Sequence, residues 1–114
     1  MGSKRITNAE LTDCVDYCYS NPCSTAVLEN IMFYVSGNKD TITKYIASHT
    51  DFSSKEIKEA IEELKNRNMI EFTDEGDQEK ELCFLTTLGE RTINYYMEDV
   101  IHLYDNVITE SDVY

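Results

Sequence analysis

Apolar residues recur along most of this chain at helical spacing, and one short stretch switches to a period of two. Leu11, Cys14, Val15, Cys18 and Tyr19 form the stripe of a first helix, with Asn8 as the expected cap and Asn21-Pro22 as its stop. Ser24 or Thr25 can open a second helix carrying Val27, Leu28, Ile31, Met32, Tyr34 and Val35, with Gly37 as its end. It is apolar around much of its circumference, so it is expected to be central. Asp40 can cap a short third helix containing Ile42, Tyr45 and Ile46. A fourth helix, Ser54–Asn66, follows one of two caps, and only Ser53 with Glu56 makes a capping box. Its Ile57, Ala60, Ile61 and Leu64 fall at i, i+3, i+4 and i+7, which defines a buried face. The period then changes. Residues 69–73 and 82–86 read as two strands joined by a polar turn, a β-hairpin. Thr87 can cap a long last helix whose Ile93, Met97, Val100, Tyr104 and Val107 form a heptad seam.

These elements predict a mainly α fold with a small hairpin, flanked by an N-terminal and a long C-terminal helix. The expected organisation is an N-terminal extension over residues 1–23, a module over 24–86, and a dimerisation helix with its tail over 87–114. One domain of 114 residues with 41% hydrophobic content can bury a single core. No apolar run is long enough to cross a bilayer, so a soluble cytoplasmic protein without a membrane partner is expected.

The order of helix, short helix, capped amphipathic helix, hairpin and long helix resembles a winged helix-turn-helix domain. Asn68-Met69-Ile70-Glu71-Phe72 resembles the entry into the wing in that family. Leu85-Thr86-Thr87-Leu88-Gly89-Glu90 resembles its exit, a "leu-thr-x-x-gly" motif frequent in the MarR and PadR groups of bacterial and archaeal regulators. The resemblance spans roughly residues 24–107. It implies a dimeric transcriptional regulator that binds double-stranded DNA, with the fourth helix in the major groove and the last helix pairing two protomers.

Charge changes this picture. The net charge of −12 argues against a general nucleic-acid coat. It is unevenly spread, however. Residues 39–68 hold 6 basic and 6 acidic side chains, whereas residues 69–114 hold 2 basic and 12 acidic. On a helical wheel Lys55, Lys58 and Lys65 fall on one flank of the fourth helix, with Glu62 among them, and Glu56, Glu59 and Glu63 fall on the other. Lys44, Ser53, Ser54, Lys55, Lys58 and Lys65 are therefore the candidate DNA contacts. The same lysines could instead form intrahelical ion pairs on a solvated face. The turn of the hairpin carries Asp74, Glu75, Asp77, Glu79 and Glu81 against Lys80 alone, which would repel phosphate. This acidic surface supports an alternative, a module or inhibitor that binds a basic protein.

Other chemistry is sparse. Cys14, Cys18 and Cys23 have the spacing C-x3-C-x4-C, which does not match the paired ligands of a structural zinc site, and buried thiols are expected. No nucleophile arrangement or glycine-rich phosphate loop is present, so neither an enzyme nor a cofactor or metal is expected. The seam Ile93, Met97, Val100, Tyr104 and Val107 is the candidate dimer interface, and tyrosines such as Tyr95 and Tyr96 suit a half-wet contact.

Overall fold

The computed structural model describes residues 5–73 and 80–112, with side chains through Ile101. Its helices are α1 (Asn8–Ser20), α2 (Pro22–Phe33), α3 (Lys39–His49), α4 (Ser54–Asn66) and α5 (Thr87–Asp112), and its strands are β1 (Ile70–Phe72) and β2 (Cys83–Leu85).

The helix starts follow capping chemistry, one or two residues away from the expected caps in most cases. Thr7, not Asn8, caps α1, its side chain accepting from the Glu10 amide at 3.1 Å. Asn21-Pro22 both ends α1 and begins α2. Pro22 occupies the first turn of α2, where its missing N–H costs nothing, so the helix starts before Ser24. Ser24 and Thr25 are buried instead: Ser24 Oγ lies 2.8 Å from the Tyr17 hydroxyl, and Thr25 Oγ1 donates to the Cys18 carbonyl at 2.7 Å. Helix α2 ends at Phe33, four residues before Gly37. Asn38, not Asp40, caps α3 by accepting from the Thr41 amide at 2.8 Å. Helix α4 has the expected capping box, with Ser53 and Glu56 each satisfying the other's amide at 3.1 Å.

Val27 and Leu28 of α2 are fully buried at the centre of the core. Around them lie Ile42 and Ile46 of α3, Ile57, Ile61 and Leu64 of α4, and Ile93 of α5. Cys14, Tyr17 and Cys18 of α1 join the same core, so the N-terminal helix and the central elements share one apolar interior. Helix α1 packs on α5, with Tyr19 meeting Tyr96 and Asp99.

The hairpin is antiparallel, pairing Ile70 with Leu85, Glu71 with Phe84 and Phe72 with Cys83. A further bridge ties it to the segment after α2, where the Cys83 amide donates to the Gly37 carbonyl at 2.9 Å. Thr86 locks the hairpin to α5. Its hydroxyl donates to the Asn68 carbonyl at 2.7 Å and accepts from the Gly89 amide at 3.1 Å. Thr86 rather than Thr87 therefore caps the last helix. Asn68 turns the chain from α4 into β1 with a left-handed φ of 63°, a conformation asparagine tolerates.

Candidate nucleic-acid interface

Helices α3 and α4 pack through Ile42, Ile46, Ile57 and Ile61, and residues 50–53 make the tight turn between them. The core stripe of α4 fixes what faces outward. Taking about 100° per residue, Lys55 lies within roughly 10° and Glu59 within roughly 30° of the direction opposite that stripe. Ser54, Lys55, Lys58 and Glu59 are all exposed, so the N-terminal half of α4 presents polar side chains to solvent.

The structure separates the sequence candidates. Lys55 and Lys58 make no ion pair among the described residues, so the intrahelical pairs weighed above do not form there. Lys44 is exposed on α3, nearly opposite that helix's buried face. Lys65 is drawn to the hairpin, its Nζ lying 5.4 Å from the centre of the Phe72 ring. Ser53 is committed to the capping box, leaving Ser54 and the open amides of the first turn to meet an anion. Of the acidic candidates, Asp74, Glu75, Asp77 and Glu79 lie outside the described residues, and Glu81 is half-buried.

Two contacts that sequence patterns do not reveal hold α4 at this angle. Lys39 Nζ reaches Glu62 Oε2 at 3.4 Å, tying the start of α3 to the middle of α4. At the far end the Arg67 guanidinium stacks 3.9 Å over the Tyr17 ring and lies 3.6 Å from Asp13, joining the α4 cap to α1. Neither pairing has a local signature, because each joins residues more than twenty positions apart.

The seam of the last helix is divided. Ile93 is fully buried in the protomer's own core, so it presents nothing to a partner; this corrects its place in the expected interface. Met97 is half-buried against the same core. Val100 and Ile101 are 40% and 55% exposed. The side chains of Tyr104 and Val107 lie outside the described residues. Beside the seam, Tyr19 of α1 packs against Tyr96 with ring centres 4.9 Å apart and planes inclined by 59°.

Cys14, Cys18 and Cys83 are buried and Cys23 is half-buried. Burial pushes all four thiols up, Cys83 to about 12 with a smaller contribution from Glu81, so they stay protonated at neutral pH. Among the described residues no group of three or more His, Cys, Asp or Glu side chains could hold a metal ion. No described helix is long and apolar enough to cross a membrane.

A helix-turn-helix followed by a two-stranded wing and framed by α1 and α5 defines the winged helix-turn-helix fold. Two solved structures share it, both MarR-family winged-helix regulators. One is BpsR of Bordetella bronchiseptica, described with the regulation of its DNA binding by 6-hydroxynicotinic acid. It is 16% identical with a TM-score of 0.59, over 86% of this chain and 77% of BpsR. The other is a MepR variant from a multidrug-resistant S. aureus clinical isolate, 11% identical with a TM-score of 0.63, over 94% of this chain and 85% of MepR. No protein-family model and no curated protein sequence matches this chain.

Proposed function

We propose that the protein is a DNA-binding transcriptional regulator that acts as a homodimer, without catalytic chemistry of its own. The observation that carries this reading is the solvent face of α4: a capped helix, held by core contacts, with exposed Lys55 and Lys58 beside Ser54 and no ion pair to either lysine among the described residues. A helix of this width fits the major groove, where Lys58 on the flank meets phosphate, Lys55 on the outward line reaches toward base edges, and the first-turn amides add a partial positive charge. BpsR, whose DNA binding is regulated by a small molecule, has the same fold. The acidic sequence between residues 74 and 81 would repel phosphate, which assigns the contact to the helix-turn-helix.

Length supports the dimer. Helix α5 has 26 residues, about 39 Å at 1.5 Å per residue, whereas α1 has 13, about 20 Å. Roughly half of α5 therefore runs beyond the reach of α1, and its exposed Val100 and Ile101 begin that stretch.

The test is titration of duplex DNA at several salt concentrations with wild-type protein and the Lys55→Gln/Lys58→Gln double variant. The wild type is expected to bind with a negative slope of log affinity against log salt. The variant should lose about 0.9 of slope for each phosphate contact removed. Absence of wild-type binding at low salt, or an unchanged slope in the variant, would refute the reading.

A further inference from the structure

The four carboxylates on α4 are not equivalent. Glu56 closes the capping box on the Ser53 amide at 3.1 Å. Glu62 is held by Lys39 at 3.4 Å. Glu63 lies near enough to Tyr17 for its charge to help push the Tyr17 hydroxyl's pKa up, behind the larger effect of burial. The side chain of Glu59 has no hydrogen bond or ion pair among the described residues. It is exposed near the outward line of the helix, in the half that a recognition helix turns toward base edges.

A carboxylate offers only acceptors, and inside a groove walled by phosphates it is repelled unless a donor meets it. The major groove presents two exocyclic amine donors, cytosine N4 and adenine N6. Adenine N6 sits between two acceptors, its own N7 and thymine O4, so the second carboxylate oxygen would face a lone pair. Cytosine N4 has an acceptor on one side only, and the C5–H edge on the other is open.

Resting on the proposed DNA-binding reading, we infer that Glu59 selects cytosine at one position of each half-site. Lys55 lies four residues away on the same outward face, a rise of about 6 Å or roughly two base pairs. Its ammonium suits guanine O6 and N7, so the preferred half-site places cytosine and guanine within about two base pairs of each other.

The experiment is selection from a randomised duplex library with wild-type protein, Glu59→Ala and Glu59→Gln. Wild type is expected to enrich cytosine at one position per half-site by about tenfold over the other bases, the usual scale of a single mismatch. Glu59→Ala should flatten that position, leave the rest of the motif intact and bind unselected DNA more tightly, because a negative charge is gone. Glu59→Gln, whose amide pairs with adenine N6 and N7, should shift the preference to adenine. If wild type binds but Glu59→Ala keeps the cytosine, the inference is overturned while the function stands. If wild type binds no duplex, both fall.

Discussion

Gly89→Ala is expected to lower the melting temperature by roughly 10–20 °C, or to prevent folding outright. Gly89 lies in the first turn of α5, where the helix crosses the backbone at the entry to β1. A Cβ at this position would overlap the Met69 carbonyl oxygen and stand 3.0 Å from its carbon. That carbonyl accepts from the Thr86 amide at 3.1 Å, and the Thr86 hydroxyl holds both Asn68 and the Gly89 amide. Nothing in this junction can yield without breaking the joint between hairpin and helix. The clash is with backbone, so side-chain repacking cannot relieve it, and a cost of about 3 kcal/mol or more follows. Thermal unfolding followed by circular dichroism measures it, with the exposed Thr87→Ala as a control expected within about 0.5 kcal/mol of wild type. A Gly89→Ala protein that melts with wild type would show that α5 does not press on Met69.

If the proposed dimer forms through the end of α5, Val100→Asp combined with Ile101→Asp is expected to yield a monomer and to weaken binding to a two-half-site duplex by about a hundredfold. Both side chains are exposed beyond the core contact of Ile93, so the change leaves the protomer's interior intact. Two carboxylates from each protomer would face their counterparts across an apolar seam, on a chain already carrying a net charge of −12. The loss in DNA affinity comes from geometry rather than from the reading helix. In the proposed dimer a linked pair of α4 helices would engage its second half-site intramolecularly, about 34 Å from the first, whereas separated protomers would bind each half-site independently. Analytical ultracentrifugation gives the mass, and titration of duplexes with one and two half-sites gives the affinity. The variant should bind a single half-site as wild type does. A variant that remains dimeric would place the seam elsewhere on the molecule.

Much of this architecture was legible in the sequence because it is written in local periodicity. The four-residue spacing of Ile57, Ile61 and the Ser53-Glu56 box located α4, and alternation around Ile70 and Phe84 located both strands. The shifts are small and share a cause. Thr7 and Asn38 outcompeted Asn8 and Asp40 as caps because a cap is chosen by where the helix can first close, which the core decides. Pro22 reads equally as a stop and as a first-turn residue, and only the packing of Ser24 and Thr25 beneath Tyr17 selects the second. The candidate interface was less legible. Lys65 shares a flank with Lys58 on a helical wheel but sits at the hairpin end of α4, where the Phe72 ring draws it in. The ties from Lys39 to Glu62 and from Arg67 to Tyr17 are tertiary and leave no spacing to read. Gly89 had the opposite fate: its motif was visible, but the reason for a glycine needed the position of the Met69 carbonyl.

The central claim is that α4 carries the DNA contact and the wing tip does not. Amide chemical-shift mapping of the isotopically labelled protein during titration with a duplex tests it most directly. The largest shifts are expected at Ser54, Lys55, Lys58 and Glu59, smaller ones around Lys44, and little change across residues 74–81. Shifts concentrated in residues 74–81 or along α5, with α4 unmoved, would contradict it.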